Sequence, residues 1–318
     1  MEALKQHVLL VAVCAFATLF LVGYFALFAP PKDFPSGSTV VIARGASAPL
    51  VADQLSEARV IAHPFALQLL LRLSGTSGSV HAGVYLFEAP QNLFIVAYRI
   101  VTGAYGLPPV RITFPEGTTV REAAVLVSDA LPEIKNADFL KEAEPYEGYL
   151  FPDTYLFLPS ADAASVVALM RDTFNTKIAT MTKELQASGR SIADTVILAS
   201  LVEKEARSPE NRRIVAGILL NRLKLGMPLQ VDAVFGYIFK RDTYSPSFAD
   251  LAVDSLYNTY THRGLPPGPI CNPGLDALQA VVNPTKTNYL YYLSGKDGLM
   301  HYATTFAGHQ ANREKYLR

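Results

Sequence analysis

The sequence predicts an α+β protein in which an apolar N-terminal helix precedes a small α/β module and a larger, helix-rich α+β region. Three observations support this fold class. Residues 8–28 carry no charge, short strand-like and helix-like segments alternate from residue 39, and longer helical segments followed by tyrosine-rich loops begin after residue 146.

The N-terminal segment is predicted to be a retained membrane anchor. Val8 to Phe28 is uncharged and long enough to cross a hydrocarbon layer of about 30 Å, and no convincing cleavage site follows it. A single span with a large C-terminal body predicts a cytoplasmic N-terminus. We expect the tail and anchor over residues 1–30, with the span at 8–28, and a proline-rich linker over 31–38.

Residues 39–145 show a strand, a glycine turn and a helix twice. The strand-like segments are 39–43 and 110–114, and the turns contain Gly45 and Gly117. Such β–turn–helix units bind glycans or serve as plain scaffold, and spacing leaves both open. Further helices are predicted at 50–55, 64–73, 93–101 and, after a capping box formed by Thr119 and Glu122, 123–131, with a short strand at 85–87.

Residues 146–318 are predicted to form a helical base that carries long loops. Helical spacing covers 164–185, 193–207 and 211–225, where Gly226 ends the last helix. The remainder is rich in loops, tyrosine and asparagine. Long polar and aromatic loops on a helical base suit a groove for an extended ligand.

Charge and cysteine content exclude several functions. Lys plus Arg and Asp plus Glu both number 28, so nothing indicates a nucleic-acid partner. The two cysteines, Cys14 and Cys271, lie far apart, one of them in the apolar segment, and the few histidines lack metal-site spacing. The sequence therefore indicates no metal and no cofactor.

Glu205 is the candidate catalytic residue. The segment 192–206 lacks Gly and Pro, and Asp194 near its start offers a capping oxygen. Four residues form one apolar stripe along this helix, namely Ile197, Leu198, Leu201 and Val202. Glu205 is three residues after Val202 and four after Leu201, so its side chain lies near the middle of that stripe.

A carboxyl among aliphatic side chains loses hydration, which raises its pKa and suits a general acid near neutral pH. The alternative on this helix alone is a partly buried Glu205 paired with Lys or Arg. Glu203 falls on the opposite side of the helix, and Lys204 and Arg207 are most simply a solvated face.

Several ordered motifs carry a resemblance to a known family. They are Glu147-Gly-Tyr-Leu-Phe-Pro-Asp-Thr-Tyr155, Leu198-Ala-Ser-Leu-Val-Glu-Lys-Glu205, Asn221-Arg-Leu-Lys-Leu-Gly-Met-Pro-Leu-Gln-Val-Asp232, Tyr257-Asn-Thr-Tyr-Thr261 with Gly264-Leu-Pro-Pro-Gly268, and Asn283-Pro-Thr-Lys-Thr287 with Tyr289-Leu-Tyr-Tyr292. Together they resemble the YceG-like endolytic murein transglycosylases over most of the chain.

The resemblance implies a single-pass inner-membrane protein with a LysM-like module at 39–145 and a catalytic domain at 146–318 that faces the cell wall. It implies a carbon–oxygen lyase that cuts the β-1,4 bond between N-acetylmuramic acid (MurNAc) and N-acetylglucosamine (GlcNAc) within peptidoglycan strands. The products carry 1,6-anhydro-MurNAc ends, which terminates nascent strands. The family's catalytic acid corresponds to Glu205, and association with the peptidoglycan synthesis machinery is implied.

Five further polar residues are candidate substrate contacts. Two alternatives are open for Gln230 and Asp232, which are lining the groove and capping a loop. Two others are open for Asn221, Asn258 and Tyr260, which are binding N-acetyl groups and fixing loops. The family usually has Thr where Val231 stands, and Pro where Ala233 stands, so a hydroxyl contact at 231 is absent here.

Two other functions fit the same residues. One is a muramidase hydrolase in which Asp232 or Glu203 supplies the second carboxylate. The other is a non-enzymatic peptidoglycan-binding scaffold in which Glu205 is structural.

Overall fold

The computed structural model describes residues 2–43, 45–241 and 246–318, without the side chains of residues 2–5, 8, 9, 12 and 26. The chain forms two compact units. The first comprises the residues up to 109 together with 158–160, and the second comprises 110–157 and 161–318. The functional boundary predicted at residue 146 stays a prediction.

The first unit contains a strand–helix–helix–strand motif whose two strands pair antiparallel, with Val40 opposite Tyr85. Val51, Leu55, Leu67 and Phe87 fill its core. Its elements are α1 (Glu2–Phe28), β1 (Ser38–Ile42), α2 (Ala48–Glu57), α3 (Pro64–Leu73), β2 (Gly83–Phe87) and α4 (Leu93–Thr102).

Helix α1 ends at Phe28, whose ring stacks on Phe94 of α4 with 4.8 Å between ring centroids. Among the residues that the structure describes, no helix has both the length and the apolar character needed to cross a bilayer. The span predicted at 8–28 is not confirmed.

The second unit opens with another strand–helix–helix–strand motif, which confirms the predicted strand, glycine turn and helix around Gly117 (φ 78°). The capping box of Thr119 and Glu122 is also confirmed. The elements are β3 (Val110–Thr113), α5 (Val120–Ala130), α6 (Asn136–Ala143), a 3-10 turn (Glu144–Tyr146) and β4 (Thr154–Phe157), followed by α7 (Ala163–Ala179).

The rest of the second unit is built around one buried helix. That helix, α9, is buried on every side from Thr195 to Val202 and packs against α10, α11 and α12. The elements are α8 (Thr182–Ser188), α9 (Ile192–Glu205), α10 (Pro209–Lys224), α11 (Ala233–Phe239), a 3-10 turn (Asp250–Ala252), α12 (Leu275–Val282), β5 (Tyr291–Ser294), β6 (Met300–Ala303) and α13 (Phe306–Tyr316).

The single helix predicted over 164–185 is wrong, because the chain breaks between α7 and α8. The hydroxyl of Thr180 donates to the carbonyl of Lys177, and that of Thr182 donates to the carbonyl of Ala179. These bonds offer the backbone an alternative to the helical ladder. The helical spacing of apolar residues does not show these hydroxyl bonds, so it predicted one continuous helix.

The cap of α9 also differs from the prediction. The side chain of Ser191 accepts the backbone N–H of Asp194 at 3.0 Å, so Ser191 is the cap and Asp194 lies inside the first turn. An acidic residue there still complements the positive end of the helix.

Asn272 joins the two halves of the second unit. Its buried side chain accepts the Leu150 N–H and donates to the Thr118 carbonyl, both at 2.9 Å. Its backbone carbonyl accepts the Gly117 N–H, also at 2.9 Å. These bonds fix the start of α5 against the segment that packs on α9.

Candidate active site

Glu205 is the last residue of α9, and its carboxyl opens on a groove of about 590 Å³. The hydroxyl of Tyr292, on β5, donates to Oε2 of Glu205 at 3.0 Å. The backbone N–H of Ala233, at the start of α11, donates to the same carboxyl. Two separate elements therefore hold the orientation of this side chain.

Burial raises the pKa of Glu205 to about 7. The hydrogen bond from Tyr292 lowers the pKa, the charge of Asp232 raises it, and the Ala233 N–H and the charge of Arg222 lower it. Desolvation dominates because the carboxyl lies among the apolar side chains at the end of α9. The group can therefore both give and take a proton near neutral pH.

Arg222 supplies a fixed positive charge beside the carboxyl. Its side chain is buried and donates to the carbonyls of Leu290 and Leu229, each at 2.7 Å. Burial lowers the pKa of this guanidinium. Arg222 thus ties the segment before Ala233 to the segment before Tyr292, which are the two segments that hold Glu205.

Asp232 and Tyr260 lie together at the groove. The Tyr260 hydroxyl donates to Oδ1 of Asp232, whose side chain makes no capping bond to α11. Burial and the bond to Asp232 hold the pKa of the Tyr260 hydroxyl well above its usual value. For Asp232 the geometry therefore fits the groove alternative rather than the capping one.

The other three predicted contacts have different surroundings. Gln230 is exposed in a left-handed conformation (φ 49°), and its Oε1 accepts from Arg222 at 3.4 Å. Asn258 is fully buried and donates to the carbonyls of Leu251 and Val253, which fits the loop-fixing alternative.

Asn221 also contacts backbone in the structure. Its amide donates to the carbonyls of Thr287 and Tyr289, at 2.8 and 3.3 Å. This fixes the segment that leads into β5. The structure thus brings Glu205, Asp232 and Tyr260 together, and leaves Asn221 and Asn258 holding loops.

Glu203 points away from the groove, as its helix position predicts. Its Oε1 accepts from Arg212, and its Oε2 accepts the Gly274 N–H at 2.9 Å. The Glu203 side chain is only 4% exposed. One oxygen belongs to a buried ion pair and the other accepts a backbone N–H, so this acid is placed for stability.

The groove has a second group of lining residues. The rings of Tyr237 and Tyr257 lie with their centroids 5.1 Å apart, and Ile270 adds apolar surface. The charged side chains of Arg121, Glu122 and Lys204 also line the groove. Lys204, predicted to be on a solvated face, is exposed but belongs to this wall.

Two residues that touch the site were not predicted as site residues from the sequence. Tyr292 and Arg222 both fall within motifs that carry the family resemblance, which was the available signal. Their roles depend on contacts across the fold, since Tyr292 is 87 positions from Glu205. In the described part of the chain, His, Cys, Asp and Glu side chains form no metal-binding cluster.

The site belongs to a recognisable class. An oriented carboxyl with a pKa near neutrality, open on a groove, is the arrangement of an enzyme that breaks a bond by general acid and base catalysis. The chain belongs to the YceG-like family, whose profile matches residues 40–315.

Named relatives agree with the family assignment. The endolytic murein transglycosylase of Bacillus subtilis is 30% identical over 325 residues, which covers 94% of this chain and 90% of that protein. The endolytic murein transglycosylase of Streptococcus pneumoniae is 32% identical over 177 residues, covering 54% of this chain and 32% of that protein.

A solved structure shares the fold. The crystal structure of a protein from Listeria monocytogenes described as YceG-like is similar with a TM-score of 0.60 and 27% sequence identity. The similarity covers 87% of this chain and 99% of that one.

Proposed function

We propose that this chain is an endolytic murein transglycosylase, a lyase that cleaves the MurNAc–GlcNAc β-1,4 bond within peptidoglycan strands, with Glu205 as its acid and base. The observation that carries the assignment of Glu205 is its oriented carboxyl, with a pKa of about 7, on the groove. The family membership and the 30% identical relative of that name support the reaction.

The reaction needs only one carboxyl. Glu205 gives its proton to the glycosidic oxygen while the bond from that oxygen to C1 of MurNAc breaks, which frees the 4-hydroxyl of GlcNAc. The carboxylate then takes the proton of the MurNAc 6-hydroxyl, whose oxygen bonds to C1 and closes the 1,6-anhydro ring. Glu205 regains its proton, and no water is consumed.

The contacts of Glu205 suit both steps. Tyr292 donates to Oε2, and we assign the acidic proton to Oε1, the other oxygen of the carboxyl. After proton transfer, the Tyr292 hydroxyl and the Ala233 N–H stabilise the carboxylate. Arg222 adds a nearby positive charge without occupying the substrate space.

Cleavage should fall as the pH rises through about 7. The acid form of Glu205 starts the reaction, and it is lost above a pKa of about 7. The expected kcat/KM decreases about tenfold per pH unit on the alkaline side. Initial rates on soluble glycan strands across pH 5–9 measure this, and a flat profile above pH 7 would contradict the assignment.

Tyr292→Phe should slow cleavage about tenfold and move the alkaline limb to higher pH. One hydrogen bond to the carboxyl is removed, and a bond of this kind contributes on the order of 1 kcal/mol. The Tyr292 bond lowers the pKa of Glu205, so its loss raises that pKa.

The pH–rate profile separates this role from simple packing. Tyr289→Phe is the matched control, because it also removes a tyrosine hydroxyl from this segment. The ring of Tyr289 stacks on that of Tyr302. A slower Tyr292→Phe variant with an unmoved alkaline limb would show that Tyr292 acts only through the fold.

Product ends test the proposed function against the hydrolase alternative. Mass spectrometry of digested strands should show 1,6-anhydro-MurNAc ends, whereas a hydrolase leaves only hydrated reducing ends. A hydrolase would need a second carboxylate, and only Asp232 of the two candidates lies on the groove. Hydrated ends alone would refute the transglycosylase assignment.

Membrane attachment, the glycan-binding module and the partners are further parts of the proposal. The uncharged sequence 8–28 and the family resemblance support a single-pass inner-membrane anchor with a periplasmic body. The β1–α2–α3–β2 motif is proposed as the LysM-like module, and association with peptidoglycan synthases follows from the family resemblance. Resistance of the native protein to alkaline extraction, with release by detergent, tests the anchor.

A further inference from the structure

Among the described residues, three cations that line the groove form no salt bridge: Arg121, Lys204 and Lys240. Arg121 and Lys204 are exposed members of the wall that also contains Glu205. Among the described residues, neither side chain forms a salt bridge, and the ion pairs of this unit involve other cations, notably Arg212. Arg121 and Lys204 therefore present positive charge to whatever fills the groove, and the charge of Lys204 also lowers the pKa of Glu147 and of Glu203.

The position of Arg121 is unfavourable for the stability of α5. It lies in the first turn of α5, next to the positive end of the helix, where a cation is disfavoured. The Tyr237 ring is close enough for the charge of Arg121 to lower the pKa of its hydroxyl. A residue that opposes its local electrostatics while facing a groove is a candidate for a functional role.

Lys204 stands over the turn that precedes α5. It directly precedes Glu205 in the last turn of α9, and a Cβ at Gly117 would lie 3.6 Å from its Nζ. Gly117 has a positive φ of 78° and no side chain, and the end of the Lys204 side chain lies over it. The two cations thus flank the same turn, Arg121 from α5 and Lys204 from α9.

The two neighbouring acids, Glu122 and Glu147, accept backbone N–H groups at the start of α5. Oε2 of Glu122 accepts the Thr119 N–H at 2.6 Å, and both oxygens of Glu147 accept the Val120 N–H, at 3.1 and 3.2 Å. Burial raises the pKa of Glu147 to about 7. These carboxyls satisfy the start of α5, and neither forms an ion pair with Arg121 or Lys204, although the charge of Lys204 lowers the pKa of Glu147.

We propose that Arg121 and Lys204 form a subsite for a carboxylate of the peptide that muramic acid carries. The proposal rests on the proposed function. A strand cleaved next to a muramic acid brings the peptide on that sugar into the groove beside Glu205, and the peptide bears free carboxylates while the sugars are neutral. Two unpaired cations complement such groups through charge-assisted hydrogen bonds, and neutral sugars gain little from them.

The test compares strands that differ only in peptide charge. Glycan strands with intact peptides are used untreated or after the peptide carboxylates are converted to amides. Amidation should lower kcat/KM of the wild-type protein about tenfold, the value of one charge-assisted hydrogen bond. The R121Q/K204Q variant should show the same loss on untreated strands and no further loss on amidated ones.

A matched pair of substitutions controls for net charge. K141Q/K183Q removes the same two charges from exposed positions on α6 and α8 and should retain the wild-type preference. The single variants R121Q and K204Q, checked by thermal unfolding, give intermediate losses if each cation contributes.

The subsite is refuted if amidation slows R121Q/K204Q as much as it slows the wild type. In that outcome the variant loses the same factor, relative to the wild type, on both substrates, which would indicate a different anion or a fold effect. The cleavage rate is read from strand length, while the ends are read separately by mass spectrometry. Failure to find anhydro ends would therefore refute the proposed function without deciding the subsite.

Discussion

Glu205→Gln should abolish cleavage and, above neutral pH, make the folded protein more stable than the wild type. The activity loss follows from removal of the only proposed proton donor and acceptor, and we expect at least about 1000-fold. Gln retains the shape and an oxygen that accepts the Tyr292 hydroxyl. The site should therefore stay folded while the chemistry stops.

The stability gain follows from the pKa of Glu205. The pKa is about 7 in the folded chain, against an ordinary value of 4.5, so the folded form holds a proton that the unfolded chain has lost. Wild-type stability therefore decreases as the pH rises from about 4.5 to about 7. Gln carries no charge, and at pH 8 the variant should gain about 1–3 kcal/mol.

Thermal unfolding at pH 5 and pH 8, together with strand cleavage, checks both effects. The variant and the wild type should have similar stability at pH 5 and separate at pH 8. An active variant would disprove the catalytic role. An inactive variant without the pH-dependent gain would show that burial does not set the pKa of Glu205.

Local sequence patterns predicted the position of Glu205 and most of the secondary structure. Helix spacing placed Glu205 on the same face as Leu201 and Val202, and the structure confirms α9, which begins one residue before the predicted start and ends two residues before the predicted end. Gly226 follows the end of α10 in a left-handed conformation (φ 66°), as a helix-ending glycine should. These features depend on neighbours a few residues apart, which a single sequence displays.

Contacts between distant segments could not be predicted in this way. The spacing of residues does not reveal that Tyr292 donates to Glu205. Nor does it reveal that Arg222 joins the two segments that hold Glu205. Asn258 and Tyr260 lie two residues apart in one loop, yet Asn258 is fully buried while Tyr260 reaches Asp232. The direction of a loop side chain depends on the tertiary environment, which local propensity does not contain.

The surroundings of Glu203 illustrate the same limit. Helix geometry correctly placed it opposite Glu205, but not in a buried ion pair. Arg212, on α10, and the Gly274 N–H, just before α12, come from other parts of the chain and cover that face of α9. Burial raises the pKa of Glu203, and the Gly274 N–H and the charge of Arg212 lower it. The role of this acid is set by its partners.

Glu203→Ala should destabilise the protein by about 3–5 kcal/mol while leaving catalysis by the folded fraction intact. Removing one member of a buried ion pair leaves the other charge without compensation. Among the described residues, the carboxylates left to Arg212 would be Glu116 at 3.4 Å and Asp276 at 3.8 Å, both partly exposed. Urea unfolding measures the loss, and cleavage assayed at low temperature, where the variant remains folded, measures the activity.

The outcome also decides whether Glu203 is a second catalytic carboxylate. In a hydrolase that used it, a folded Glu203→Ala variant would be inactive, so near-normal cleavage per folded molecule excludes that role. Unchanged stability would instead contradict the buried ion pair. Two glutamates separated by a single lysine should therefore give opposite results, because the helix turns one into the groove and the other against Arg212: loss of Glu205 removes activity and loss of Glu203 removes stability.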